Sequence, residues 1–340
     1  MRILTAVVGS FPQPGWLLDR DVFLGRLPAR VQIDELWTVK PEVLEEAQDD
    51  ATILAIRAQE RAGIDIVTDG EMRRLSYSSV LASSLGGIDR ERTGVVVGRA
   101  GKPNNVPLIS GPLTHERSVH ERDVRFLRAN TDRTVKVTIP GPFTLTQLCV
   151  DEYYGSEEAV AMAYAETINK EVRILFEAGA DIVQLDEPYL QAKPEQASRY
   201  AVPAINKALE GITGTTALHV CFGYAAMVKD KSASGYSCID QLNDTIAQQV
   251  SIETAQPKLD PALLKLLPSK TVMVGVIDLN DPNPETPEVV ADRLRRALDH
   301  LPPERMIAAP DCGMKYLTRD QAFGKLKALA EGAAIVSSEL

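Results

Sequence analysis

The chain has 340 residues, 44% of them hydrophobic, and its 37 Lys and Arg against 47 Asp and Glu give a formal net charge of −10. That balance argues against non-specific binding to nucleic acid or to an anionic membrane surface, and no run approaches the roughly 18 consecutive apolar residues of a membrane-spanning helix. Four cysteines in so long a chain are too few for a disulfide scaffold, and Met1-Arg2-Ile3-Leu4-Thr5-Ala6 reads as the approach to a strand, not as a leader, so a cytoplasmic protein is the expectation.

Eight short apolar or β-branched runs read as strands: Ala6–Gly9, Ile64–Thr68, Val135–Ile139, Asp181–Asp186, Thr216–Val220, Gln248–Glu253, Thr271–Ile277 and Met306–Ala309. Most are near-continuous in hydrophobicity, as parallel strands covered on both faces must be. Helices lie between them. Leu44, Ala47, Ala51, Leu54 and Ala58 recur at helical spacing within Glu42–Gly63. The stretch from Arg74 to Asp132 exceeds one crossover, and Gly94–Gly98 and Val106–Ile109 flank Gly101–Asn105 as the arms of an inserted hairpin. Ser156 followed by two glutamates opens a helix that runs to Gly179, with acidic groups at its positive end. Thr318-Arg319-Asp320-Gln321 has the pattern of a capping box at the start of the last helix. The junctions Ala62-Gly63-Ile64-Asp65-Ile66-Val67 and Ala178-Gly179-Ala180-Asp181-Ile182-Val183 echo one another, each with a glycine just past a helix. Eight alternating units without a linker predict an α/β fold, a single (β/α)8 TIM barrel over residues 1–340 with a hairpin insertion after strand 2.

The chemistry-bearing residues fall at strand ends. His219 and Cys221, two apart in extended backbone, point to one side. Glu253 ends the sixth strand and Cys312 follows the eighth, so all four belong to the C-terminal rim, where barrel enzymes keep their reactive groups. One imidazole, two thiolates and one carboxylate make a tetrahedral Zn2+ set. Such a centre carries a formal charge of about −1 and polarises carbonyls poorly, but it keeps a substrate thiol deprotonated and nucleophilic. Alkyl transfer to sulfur is the expected reaction. Cys149 and Cys238 receive no role, the first read as packed and the second as exposed in a polar loop. Glu71 and Asp186 close the second and fourth strands, where two carboxylates can hold an α-ammonium. Two readings stay open: Glu71 capping a helix or pairing with Arg73 or Arg74, and Glu187, not Asp186, pointing inward.

Six segments in chain order carry a resemblance to the catalytic domain of cobalamin-independent methionine synthase, in a superfamily with uroporphyrinogen decarboxylase-like barrels. They are Val8-Gly9-Ser10-Phe11-Pro12-Gln13, Asp69-Gly70-Glu71-Met72-Arg73-Arg74, Gln184-Leu185-Asp186-Glu187-Pro188, His219-Val220-Cys221, Ser251-Ile252-Glu253-Thr254 and Pro310-Asp311-Cys312-Gly313. The resemblance implies a methyltransferase that methylates the zinc-bound thiolate of homocysteine to give methionine. It further implies that Ser10, Glu71 and Asp186 bind the amino acid and that His219, Cys221, Glu253 and Cys312 bind zinc.

Three departures mark the chain as a core-only relative: the family's additional N-terminal half is absent, Leu148 stands where a tryptophan stacks on the pterin, and Asn280 stands where a histidine donates a proton. The last two point away from methylfolate and toward methylcobalamin or a corrinoid protein as donor and partner, with Asn280 and Asp186 as the residues at the catalytic positions. Two other readings compete: a zinc-dependent thiol alkyltransferase that opens an epoxide or another electrophile, and a non-catalytic thiol- or corrinoid-binding protein.

Overall fold

Apolar runs bury both faces of eight parallel strands, and helices, or the short 3-10 turns Asp240–Asp244 and Pro261–Leu266, pack outside them. A computed structural model describes residues 1–25, 36–74, 81, 84–97, 103–224, 228, 231 and 235–340. In chain order the strands are β1 (Leu4–Thr5), β2 (Ile66–Val67), β3 (Leu85–Val97), β4 (Pro103–His115), β5 (Thr134–Pro140), β6 (Val150–Asp151), β7 (Ile182–Asp186), β8 (Thr215–Val220), β9 (Gln249–Glu253), β10 (Thr271–Ile277) and β11 (Met306–Pro310). Eight of them form one sheet in the order β1-β11-β10-β9-β8-β7-β5-β2. A parallel bridge between Ala6 and Ile66, with Val7 N donating to Ile66 O at 3.3 Å, brings the two ends of that order together. The result is a TIM barrel.

Its interior is filled by Ala6, Ile66, Ile182, Ala217, Met273, Ile307 and Ala309, a buried cluster separate from the larger one between strands and helices. β5 contributes a lysine to this interior. Lys136 is fully buried, and its ammonium donates to Gln184 Oε1 at 2.6 Å and lies 3.7 Å from Met273 Sδ. Burial pulls its pKa down to about 7, against the opposing pull of Asp186 and Glu71.

The helix signals act as their chemistry demands. Ser156 Oγ accepts from Ala159 N at 3.2 Å, opening the helix Glu157–Glu177. Thr318 and Gln321 exchange both bonds of a capping box before the helix Arg319–Glu339. Gly63 at φ 90° and Gly179 at φ 109° let the chain turn from helix into strand, a conformation costly for any residue with a Cβ. No helix among the described residues is long and apolar enough to cross a membrane.

Three expectations are corrected. The first strand is Leu4–Thr5, with Ala6 adding one bridge, and does not run over Ala6–Gly9, because Gly9 O is taken by Thr68 Oγ1 (2.6 Å) and Phe11 N by Gly70 O (2.9 Å) in loops over the barrel mouth. The inserted hairpin is much longer than the two apolar patches suggest: β3 and β4 pair antiparallel from Leu85↔His115 to Val97↔Pro103, and β6 adds to β4. Only Leu85 and Gly94 of β3 are buried, so Asp89-Arg90-Glu91-Arg92 carries no buried-strand pattern. Gly98 and Gly101 of the expected hairpin lie outside the described residues. Cys238 is not exposed but buried at 3% of its surface, in a niche with Leu190, Ala197 and Leu242.

Candidate metal and amino-acid site at the barrel mouth

Strand ends and the first residues beyond them converge at the C-terminal rim. β8 delivers His219 and, one step past its end, Cys221; the turn after β11 delivers Cys312. The imidazole nitrogen and the two sulfurs lie within 4.8 Å of one another, and all three residues are buried. His219 Nδ1 sits 2.9 Å from Ser251 Oγ on β9, while Nε2 is buried with no hydrogen-bond partner among the described residues. A buried ring nitrogen without a partner is costly unless something accepts its lone pair. Hydrogen bonding to Cys221, with burial second, pushes the Cys312 thiol well above its ordinary value. One neutral imidazole nitrogen facing two buried sulfurs fits a soft divalent cation, zinc above all, and these three side chains can hold one.

Backbone bonds fix this geometry. Asp311 accepts from the N–H groups of Thr254 (3.1 Å), Ala255 (3.0 Å) and Gln256 (2.6 Å), which locks the Cys312 turn to the segment after β9. Burial raises the Asp311 carboxyl to about 7, and those bonds oppose the rise. Gly275 has no room for a side chain there, since a Cβ would come within 2.4 Å of Asp311 Oδ1. Tyr236 donates to Val220 O (2.9 Å) and accepts from Glu253 N (2.8 Å), pinning β8 to β9.

Glu253, the fourth expected ligand, stands apart from the three converging atoms. One of its oxygens pairs with Lys231 and the other accepts from Phe222 N at 3.2 Å. Burial first, then Cys221, push its carboxyl upward against the pull of Lys231.

The neighbouring wall carries the amino-acid candidates. Ser10 is tied to the Cys312 turn, since Met314 N donates to Ser10 O at 2.8 Å, and a Cβ on Gly313 would come within 2.3 Å of Ser10 Oγ. That hydroxyl is buried and faces the phenol of Tyr224. Glu71 adopts φ 57°, uncommon for a residue with a Cβ, and its N–H donates to Asp69 Oδ1 at 2.9 Å. Its carboxylate accepts from Thr138 Oγ1 at 3.0 Å and passes so close to Gly9 that a Cβ there would approach to 2.6 Å. Arg73 turns away to Asp49 and to Asp123 (2.8 Å), whereas Arg74, whose Nη1 donates to Thr138 O at 2.5 Å, keeps its buried charge near Glu71 and Asp69.

Asp186 and Glu187 part company. Glu187 is fully buried and accepts from Phe143 N (2.9 Å) and Thr144 N (2.7 Å), capping the helix Pro142–Thr146, and burial raises its carboxyl to about 8. Asp186 lies beside His219 in the β7–β8 register and accepts from Gln184 Nε2 at 2.7 Å. Its carboxyl is raised to about 6 by burial, opposed first by His219.

Two expected positions are remote in character. Leu148 is buried at 2%, and Asn280 is exposed on the turn after β10, where its backbone N–H donates to Asp278 Oδ1 at 2.7 Å. Ser251, Asp311, Lys231 and Lys136 were not singled out in the sequence. Ser251 alone had a usable signal, because it alternates with Glu253 on one face of its strand.

Comparison with known proteins follows this geometry. The family described as the catalytic domain of cobalamin-independent synthase matches residues 3–334. The methionine synthase of Thermococcus kodakarensis is 33% identical over 338 residues, covering 99% of this chain and 94% of that protein. That of Sulfurisphaera tokodaii is 32% identical over 340 residues, covering 99% and 93%. A solved B12-independent methionine synthase from Shewanella sp. W3-18-1, in complex with selenomethionine, superposes with a TM-score of 0.89 at 32% identity, covering 100% of this chain and 99% of that one. A methyltransferase from Methanosarcina mazei shares the fold at a TM-score of 0.68 and 14% identity. The chain belongs to the cobalamin-independent synthase catalytic-domain family and is a methyltransferase.

Proposed function

We propose that the protein transfers a methyl group to the thiolate of homocysteine, giving methionine, with zinc on His219, Cys221 and Cys312 and with Glu253, beside Cys221, as the fourth ligand. The observation that carries this reading is the convergence of three buried donors, one imidazole nitrogen and two sulfurs, within 4.8 Å of one another. Zinc bound there would keep the substrate thiol deprotonated near neutral pH while leaving it nucleophilic. The remaining steps belong to the chain. Ser10, tied to the Cys312 turn, and the carboxylates of Glu71 and Asp186 receive the polar end of the amino acid. Thr138 and Gln184 hold those two carboxylates in place. A cytoplasmic setting suits Cys149, Cys221, Cys238 and Cys312, none of which forms a disulfide among the described residues.

The donor follows from what the leaving group needs. Methylfolate requires a proton on its departing nitrogen, and Asn280 cannot supply one; Leu148 offers no flat face for a pterin. Methylcobalamin requires neither. The sulfur–carbon bond forms as the cobalt–carbon bond breaks, and the electron pair stays on cobalt. Methylcobalamin, free or on a corrinoid protein, is therefore the proposed donor. The test is purified zinc-loaded protein with homocysteine and, separately, methylcobalamin and methyltetrahydrofolate, scored for methionine. Methionine from methylcobalamin supports the reading. Efficient turnover with methyltetrahydrofolate alone overturns the donor, and methylation of neither supports the epoxide-opening alternative.

A further inference from the structure

Glu71 and Asp186 are buried at the barrel mouth before any amino acid arrives. Buried charges of one sign are costly unless a cation faces them. The barrel interior supplies one from below. Lys136 and Thr138 lie on one face of β5, Gln184 and Asp186 on one face of β7, and Thr138 stands opposite Gln184 in the register. Thr138 Oγ1 donates to Glu71 at 3.0 Å. Gln184 bridges the other pair: its Oε1 accepts from the Lys136 ammonium at 2.6 Å and its Nε2 donates to Asp186 at 2.7 Å.

That ammonium is otherwise poorly served. It has three donors and no acceptor, and besides Gln184 it meets the weak acceptor Met273 Sδ at 3.7 Å. Burial pulls its pKa down to about 7, and Asp186 and Glu71 are the groups that hold it up against burial. Met273, from β10, is neutral. The two carboxylates have other neighbours of their own: Asp186 faces His219, and Glu71 faces Arg74 and Lys315.

An α-ammonium bound between Glu71 and Asp186 is a further cation on the same two carboxylates. It satisfies them from the mouth and repels the ammonium beneath. A lysine already poised to titrate answers by giving up a proton. The neutral amine keeps two N–H groups, so its bond to Gln184 survives.

We propose that Lys136 is a positioning residue, the resident counter-cation of Glu71 and Asp186, which yields that role to the α-ammonium of the amino acid by releasing a proton to solvent. This rests on the reading that those carboxylates receive the ammonium. One Nζ–H bond breaks, its electron pair stays on nitrogen, and the proton passes to the buffer.

The test uses the zinc-loaded chain with methionine, the product, and with 4-(methylthio)butanoate, which lacks only the amino group. Neither carries a thiol, so sulfur contributes no proton. Calorimetry in buffers of different ionisation enthalpy counts the protons released. The Cε resonance of carbon-13-labelled lysine follows Lys136 itself, identified by its absence from Lys136→Met. Wild type should release about half a proton per methionine at pH 7 and almost none at pH 9, as a group titrating near 7 must if it is neutral in the complex. The Lys136 midpoint should fall by at least about one pH unit when methionine binds, and Lys136→Met should lose most of the release. The analogue without the amino group should bind at least about tenfold more weakly and release no proton. A lysine that only fills space keeps its proton when ligand binds, so if Lys136→Met does not fold, the proton count in wild type and its pH dependence decide. Preference for methionine with no proton released and an unmoved Lys136 midpoint would overturn this inference and leave the ammonium reading standing. Equal binding of the two ligands would strike the ammonium reading, and this inference with it.

Discussion

His219 Nδ1 lies 2.9 Å from Ser251 Oγ, and the parallel register of β8 and β9 sets the two residues opposite one another. For Nε2 to present its lone pair to a metal, Nδ1 must carry the proton and donate it to that hydroxyl. Ser251→Ala removes the acceptor without touching a ligand. Metal affinity should fall by about 10–100-fold, the usual cost of losing such an orienting bond, with the fold intact. Chelator competition at constant pH measures it. Unchanged affinity would mean that the ring is oriented by its packing alone.

Cys221→Ser and Cys312→Ser each replace a thiolate by a hydroxyl that zinc binds poorly. Each variant should lose most of its metal and its methyl transfer while circular dichroism shows the barrel preserved. Metal analysis of the purified proteins is the measurement. Full occupancy in both would show that the ligand set is wrong.

Glu71→Gln keeps the shape of the side chain and its bond from Thr138, but removes the charge. Homocysteine binding should weaken by about 1–3 kcal/mol, the value of a hydrogen bond to a charged group. A thiol of similar size without the amino group should bind the variant and the wild type alike. Equal losses for both thiols would make Glu71 a structural residue.

Lys136 supplies a pH dependence whose sign is fixed. Its pKa is lowered to about 7 by burial, while an unfolded lysine titrates near 10.4. Between those values the unfolded chain binds a proton that the folded chain does not, so stability from this residue rises with pH across that window. The facing carboxylates, Asp186 and Glu71, are common to both proteins in the comparison. Lys136→Met abolishes the titration. The stability of wild type relative to the variant should therefore improve by on the order of 2 kcal/mol from pH 7 to pH 9. Guanidinium unfolding of both proteins at the two pH values gives the difference, and a flat difference would refute the assignment.

Much of the barrel was legible because its strands are buried on both faces. Thr271–Ile277 was delimited to the residue, and the other strands from the third unit onward to within one residue at either end. Caps were equally legible, since Ser156 and Thr318 act on residues three positions away. The hairpin was only partly so. β3 buries only Leu85 and Gly94, and a strand with so few buried positions has no hydrophobic period to betray it.

The sequence alone determined the eight-unit barrel and the rim positions of His219, Cys221, Cys312, Glu71 and Asp186, because burial pattern and strand ends are local properties of the chain. Only the tertiary structure decided which partners meet across the mouth. Glu187, next to Asp186, turned to cap the helix Pro142–Thr146, 43 and 44 residues away in the chain, and left Asp186 at the rim. Ser251 met His219 across 32 residues, and Lys231 met Glu253 across 22, from a segment with no periodic signal. Such pairings depend on the register of neighbouring strands and on the direction of a loop. Both are set by closure of the whole barrel and by the cost of leaving a buried charge or donor unpaired, not by any run of adjacent residues.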